Sequence, residues 1–319
     1  MKEFIIQKNE ANQRLDKYLK KLLPNAGTSF LYKMLRKKNI TCNGKKADGT
    51  EILREQDRIN LYFSDETFLK FSTNLDALRE EMDYLKSLPM KGLKIVYEDQ
   101  GMLIADKPVN MLSQKASVSD ISANERLLGY LIRENKLTPE EYLTFHPSVC
   151  NRLDRNTTGL IIMDKTLERT QEIAEGLKDR SIHKYYRAIV KGIVPKGSHL
   201  SGYLTKNEKT NEVHISASKQ GEAVWVETAY EPVAHNEHFT LLEIHLITGK
   251  THQIRAHLAS IGYPILGDPK YGDPTVNAEL KKRGISLQLL HAYRLEFADG
   301  KVIVCQPPAV FDKVMKTFR

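Results

Sequence analysis

Cysteine is scarce in this chain: Cys42, Cys150 and Cys305 stand far apart. No two of them have metal-ligand spacing, and their odd number argues against a disulfide framework. No apolar run approaches the roughly 20 residues that cross a bilayer. The N-terminal stretch lacks an apolar core followed by a small-residue cleavage site, so no secretory signal is expected. No glycine-rich phosphate loop joins a strand to a helix, and there is no Gly-x-Ser-x-Gly elbow. His252 and His257 are five residues apart, which takes them off a common helical face and argues against a zinc pair. These absences point to a cytoplasmic protein, away from membranes, that uses no metal, nucleotide or redox cofactor. No obligate protein partner is evident either.

What the chain does have is positive charge, unevenly placed. Its 319 residues suit about two domains. The net charge is +8, yet residues 1–63 alone hold 14 Lys/Arg against 7 Asp/Glu. A small basic module therefore precedes a larger, nearly neutral one. Concentrated positive charge gains free energy on a phosphate backbone by releasing counterions. Nucleic-acid binding is one reading of the module, and a solvated basic surface is the other.

Along residues 1–63, Leu15, Tyr18, Leu19, Leu22 and Leu23 form a helical stripe. Pro24, Asn25 and Gly27 break it. A second helix buries Phe30, Leu31, Met34 and Leu35, and its last turn carries Arg36, Lys37 and Lys38, where cations suit the helix dipole. Asn43-Gly44 reads as a hairpin turn. Residues 64–91 are mixed in charge and read as a linker with some helix. From Gly92 onward, 94–98 and 102–107 read as strands around Asp99-Gln100-Gly101, and a helix is expected over about 119–136. Further strands are expected at 159–165, 184–192, 222–233 and 239–248, with a hairpin around Asp299-Gly300. Strands outnumber helices and alternate with them irregularly. That predicts an α+β domain over 92–319 on a mostly antiparallel mixed sheet, after a small N-terminal α/β module.

Three stretches are dense in groups that could do chemistry. Asn151-Arg152-Leu153-Asp154-Arg155-Asn156-Thr157-Thr158-Gly159 sits directly before a buried strand. A carboxylate between two arginines is favoured in its ionised form, and a loop at a strand end is held firmly. An Asx-type turn with a surface ion pair would look the same. In Thr248-Gly249-Lys250-Thr251-His252-Gln253-Ile254-Arg255 a strand ends, a glycine turns the chain and a helix begins. Arg255 would sit one turn into that helix, either reaching a carboxylate through its planar fork or lying on the helix surface. In Lys184-Tyr185-Tyr186-Arg187-Ala188-Ile189-Val190, period two puts Tyr186 on one face with Lys184, Ala188 and Val190, and Tyr185 on the other. Such a tyrosine could stack on a base or pack in a core.

In this order the three stretches resemble the RluA-type pseudouridine synthases. The matching patterns are Arg-Leu-Asp-Arg-x-Thr-x-Gly-Leu, Lys-x-Tyr-x-Ala-x-Val-x-Gly and Thr-Gly-x-Thr-His-Gln-Ile-Arg-x-His-Leu. Glu98-Asp99, Lys107-Pro108, Gly267-Asp268, Tyr271-Gly272 and Leu290-His291-Ala292 match further blocks, so that the resemblance covers about residues 92–310. Residues 12–63 are similar to the small S-four-type RNA-binding module that often precedes this catalytic domain. Asn151 and Thr158 depart from the family's usual His and Ser.

The resemblance implies isomerisation of uridine to pseudouridine in structured RNA, without a cofactor. Asp154 would be the essential carboxylate, Tyr186 would stack on the uracil and assist proton loss from carbon 5, and Arg255 would pair with Asp154. Ile254 would border the base pocket, and Arg152 would help extrude the nucleotide. Large-subunit ribosomal RNA is the expected substrate, with transfer RNA as the alternative. In the basic module Arg14, Lys17, Lys33, Arg36, Lys37 and Lys38 are the expected RNA contacts. An RNA-binding factor without catalysis would have lost Asp154, Tyr186 or Arg255, and all three are present. A glycoside-type hydrolase would need a second acidic partner, which no motif supplies.

Overall fold

The computed structural model describes residues 1–317; positions 318–319, the end of the expected 92–319 domain, lie outside them. The chain opens with β1 (Lys2–Ile5), α1 (Leu15–Leu22) and α2 (Thr28–Arg36). The two helical stripes bury Leu15, Tyr18, Leu19, Leu31 and Leu35 in one small core. Next come β2 (Ile40–Cys42), β3 (Lys45–Lys46) and β4 (Arg58–Leu61), which complete a sheet in the order β1-β4-β2-β3. Asn43 and Gly44 both have positive φ, as the tight turn between β2 and β3 requires.

Three of the basic residues sit at or beyond the helix ends. Arg14 is the extended N-cap of α1 instead of a helical residue. Lys37 is the C-cap of α2, and Lys38, at φ 59°, lies beyond it. The cause is a Schellman-type end: Asn39 N–H bonds the Met34 carbonyl (2.9 Å) and Lys38 N–H bonds that of Leu35 (3.0 Å). The basic run therefore turns away from the helix face that it was expected to continue.

Residues 64–91 are more ordered than a linker. They hold α3 (Asp65–Phe71) and α4 (Leu75–Ser87). Phe68 and Phe71 pack on the small N-terminal core, whereas Leu78, Met82, Leu85 and Leu88 belong to the largest core of the molecule. The helical spacing of those leucines and Met82 gives α4 an apolar face that must be covered. The two cores therefore divide between Phe71 and Leu78.

The rest of the chain builds one large sheet. β5 (Lys94–Glu98) and β6 (Met102–Lys107) turn at Asp99, whose carboxylate accepts from Gly101 and Met102 N–H groups. Helices α5 (Ala123–Arg133) and α6 (Pro139–Thr144) follow, then β7 (Thr158–Asp164) and α7 (Leu167–Lys178). β7 is buried at every position because both its faces are covered. Ile161 and Met163 face the largest core, and Leu160 and Ile162 a second core with Ile173 of α7. β8 (His183–Lys191), β9 (Ser198–Asn207), β10 (Glu212–Ser216), β11 (Val224–His235) and β12 (Phe239–Leu246) precede α8 (Gln253–Ser260) and α9 (Pro274–Lys282). The chain ends with β13 (Leu290–Glu296), β14 (Val302–Val304) and α10 (Val310–Thr317).

The strand order is β10-β9-β11-β12-β8-β13-β7-β6-β5, with β14 beside one end of β13. Only β7 and β13 pair in parallel among the described residues, so the sheet is the expected mostly antiparallel, mixed one. β13 comes late in the chain but fills an interior place, between β7 and β8. The small module touches the large one at the start of α7. There the Asn9 carboxamide oxygen accepts from Leu167 N–H (2.7 Å), and Gln171 donates to the Asn12 carbonyl (3.2 Å). No helix among the described residues is long and apolar enough to cross a membrane.

Candidate active site

The loop that enters β7 is clamped along most of its length. Asn151 accepts from Ile162 N–H (2.7 Å) and donates to the Leu160 carbonyl (3.2 Å), so its carboxamide serves as a short extra rung on β7. Ser113 takes both sides of Leu153: its Oγ accepts from the N–H (3.0 Å) and donates to the carbonyl (2.9 Å). Gln288 donates to Thr157 Oγ1 (3.0 Å), and Thr158 Oγ1 lies 2.8 Å from His291 Nδ1. Gly159 has φ 112°, and a Cβ there would stand 2.2 Å from the Ala292 carbonyl oxygen. Only glycine allows β7 and β13 to come this close. The departures Asn151 and Thr158 thus both have bonded places in the loop.

Asp154 projects from this loop with 28% of its side chain exposed. Arg255 Nη1 donates to its Oδ2 at 2.8 Å, across 101 positions of sequence. The expected partner is therefore present, but the expected fork is directed elsewhere. Arg255 grips buried Asp268 bidentately, with Nε to Oδ2 at 2.7 Å and Nη2 to Oδ1 at 2.8 Å. Backbone N–H groups of Lys270 (2.9 Å) and Tyr271 (3.1 Å) also reach Asp268 Oδ1. Burial opposes ionisation of Asp268, but these donors outweigh it and hold its pKa below the ordinary carboxylate value. Asp268 is thus the anchor, Arg255 the link and Asp154 the presented group. Asp154 Oδ1 has no hydrogen-bond partner among the described residues.

His252 is a further member that the motif contained without showing its place. It caps α8 in the left-handed region, at φ 53°. Its Nε2 lies 3.9 Å from Asp154 Oδ2 and its Nδ1 lies 3.0 Å from Tyr271 Oη. Val213 N–H already donates to that phenol oxygen (2.8 Å). The phenol oxygen is thus held between the Val213 amide and the imidazole, with the other imidazole nitrogen on the side of Asp154. Burial keeps the pKa of His252 below its ordinary value.

β8 presents its two tyrosines to opposite faces. Tyr186 shares the largest core with Ala188 and Val190, is 5% exposed and lines the same cleft as Asp154. Burial, with the Asp154 charge adding to it, pushes its phenol pKa well above the ordinary value. Tyr185 stacks on His245 on the other side, with centroids 4.6 Å apart. Lys107, matched in sequence but given no role, is fully buried beneath the loop. It donates to the carbonyls of Pro108 (3.0 Å), Met111 (2.8 Å) and Arg155 (3.3 Å). An unpaired ammonium would cost several kcal/mol to bury. Three carbonyl acceptors match its three hydrogens, and Asp154 adds a favourable charge. Burial nonetheless lowers its pKa to about 7.

Asp154, Tyr186, Ile254, Arg255 and His252 all line one cleft of about 1060 Å³. Arg152, Arg155, Lys178, Arg180, Lys184, Lys250 and Lys270 line it too, and Asp154 is the sole carboxylate among the lining residues. The near-neutral sum over residues 64–319 concealed this gathering of cations. Arg14, Lys17, Lys33, Arg36, Lys37 and Lys38 are not on the cleft wall. Lys17, Lys33, Arg36, Lys37 and Lys38 are exposed on the small module, while Arg14 is half-buried and paired with Asp16 at 3.1 Å. Asp106, His291 and Cys305 form a metal-compatible cluster below the loop. Both imidazole nitrogens of His291 are engaged there, one with Thr158 and the other with the Cys305 carbonyl (3.1 Å).

A family model described as RNA pseudouridylate synthase matches residues 101–260. The chain is 30% identical over 301 residues to an uncharacterized RNA pseudouridine synthase of Mycoplasma genitalium, covering 92% of this chain and 88% of that one. It is also 30% identical over 312 residues to the ribosomal large subunit pseudouridine synthase D of Neisseria meningitidis, covering 93% and 76%. Among solved structures, human RNA pseudouridylate synthase domain containing 4 superposes with a TM-score of 0.56 at 21% identity, covering 73% of this chain and 95% of that one. That structural likeness concerns the fold.

Proposed function

The chain belongs to the RNA pseudouridylate synthase family, and from that premise we propose that it isomerises uridines of large-subunit ribosomal RNA, with Asp154 as the reacting carboxylate. The reaction conserves atoms. The bond from uracil N1 to ribose C1′ breaks, the base turns and a bond from C5 to C1′ forms. The C5 hydrogen leaves as a proton, and N1 gains one. No oxidant or reductant enters this balance.

The observation that carries the reading is the Asp268–Arg255–Asp154 chain at a cation-lined cleft. It holds one carboxylate in one orientation beside a cation, with Oδ1 left for the nucleoside. Asp154 acts on the ribose or base while the glycosidic bond breaks. Tyr186 and Ile254 border the uracil, and Tyr186 assists loss of the C5 proton. Arg152, exposed at the cleft, helps hold the nucleotide extruded from its stack. Residues 1–63 act as an S-four-type RNA-binding module, with exposed lysines on phosphate. Ribosomal RNA as the substrate is supported by the names of the relatives, and the cytoplasm is the location proposed with it.

Tritium release from RNA labelled at uridine C5 measures the activity. Pseudouridine mapping in cells with and without the gene identifies the substrate. Loss of sites from large-subunit ribosomal RNA is expected; loss only from transfer RNA would replace that assignment.

A further inference from the structure

Trp225 is the chain's only tryptophan, and no step above uses it. It is the second residue of β11 and is 45% exposed. Tryptophan and tyrosine are enriched where a surface recognises a partner. Trp225 lines the same cleft as Asp154. Tyr203 stands directly across the ladder on β9, with ring centroids 5.1 Å apart and planes 70° apart. That T-shaped contact sets the indole's plane without covering it.

The surroundings are cationic. Lys178 and Arg180, at the end of α7, line the cleft together with Trp225. Glu227, on the same face of β11 two residues further on, holds Arg180 at 2.9 Å. Aromatic surface set among cations is the chemistry that binds unpaired nucleotides: the cations follow phosphate and the ring takes a base. The target uridine is assigned to Tyr186 and Ile254, which are buried beside Asp154, so Trp225 on the exposed wall has a different occupant. Extruding one nucleotide also unstacks its neighbours.

We propose that Trp225, supported by Tyr203, is a stacking platform for an unpaired base next to the target uridine. This rests on the reading of the chain as an enzyme of RNA. Because no other tryptophan emits, the fluorescence of the full-length protein reports on this residue alone. The probes are a uridine oligonucleotide of about 12 nucleotides and an abasic ribose-phosphate oligomer of the same length and charge. The base-bearing oligomer should quench the emission strongly, and the abasic one should bind without doing so.

Trp225→Ala should weaken binding of the uridine oligomer by about 5- to 150-fold, the contribution of one stacked base. The dependence of affinity on salt should stay unchanged, because no phosphate contact is lost. Trp225→Phe should restore most of the affinity. Equal quenching by both oligomers would overturn the proposal, as would an unaltered affinity of Trp225→Ala. So would a steeper or flatter salt dependence. Tritium release by the wild-type protein separates the two readings. If it is absent, the enzyme assignment fails. If it is present and Trp225 does not respond to the base, only the platform fails.

Discussion

Arg255 gives Asp154 a single hydrogen bond, 2.8 Å from Nη1 to Oδ2, and commits its planar fork to Asp268. The arginine is thus oriented from behind, with its side chain 5% exposed. Arg255→Lys keeps the charge but cannot hold Asp268 at two points and reach Asp154 at a third. Turnover should fall by about 10²-fold, the scale of a misplaced catalytic group. Tritium release under saturating RNA checks this, and near wild-type turnover would remove the geometric role of the fork.

Asp268→Asn tests the anchor without touching the cleft. The amide is nearly the same size but leaves the Arg255 charge half-compensated in a buried place. A loss of about 3–5 kcal/mol in unfolding free energy is expected, as for a broken buried pair. Denaturant unfolding measures it. RNA binding by the folded fraction should change little, while kcat falls.

Asp154→Asn should leave the fold intact and lower isomerisation by at least the roughly 10²–10⁴ of a positioned acid or base. Residual turnover near one tenth of wild type would show that another group carries the step. Tyr186→Phe should likewise retain binding and lose turnover, whereas Tyr185→Phe, on the far face of β8, should do neither. Parallel tritium-release assays decide between the two tyrosines.

Lys107 gives the protein a pH signature. Burial brings its pKa to about 7, from the ordinary lysine value of 10.5. Between those values the unfolded chain carries the extra proton, so this group's contribution makes stability rise from pH 7 towards 10.5. It is lowest, and level, below 7. Lys107→Met should abolish that rise and also orphan three carbonyls, at about 1–3 kcal/mol for a buried polar group left unmade. Unfolding free energies of both proteins at several pH values provide the check; parallel curves would contradict the lowered pKa.

Removal of the basic module tests its role. The cut belongs after residue 72, because Phe68 and Phe71 pack on the small core. A chain starting at Thr73 should stay folded and bind structured RNA more weakly. Its salt dependence should flatten only in part, since Lys178, Lys250 and Lys270 remain on the cleft. An unchanged salt slope would make the module's charge a solvated surface.

Much of the site was legible because its residues sit in short dense motifs. Period two separated the two tyrosines of β8, while the choice of Tyr186 and the arginine's partner both followed from the resemblance. The identity of the fork's true recipient did not. Asp268 lies on a loop whose position against α8 depends on packing, and no local pattern encodes that distance. The cleft's charge was hidden for another reason. A net charge is a sum without positions, and the acids that cancel Arg152, Lys178 and Lys270 lie elsewhere in the fold. The segment 64–91 misled because its charges mask the apolar spacing of Leu78, Met82 and Leu85, which only becomes decisive once α5 offers a surface.

β13 has a bearing on how the molecule is made. The strands β5, β6 and β7 form one half-sheet, and β8 through β12 form the other; β13 alone joins them. During synthesis both halves leave the ribosome before residue 290 exists. Each then carries a raw inner edge, β7 on one side and β8 on the other, with unpaired backbone groups of the kind that recruit foreign strands. The carboxylate loop leads directly into one of those edges and Tyr186 sits on the other. A chain halted before residue 290 would therefore hold Asp154, Tyr186 and Arg255 and still leave the two halves apart, until this keystone strand, made after both, locks them together.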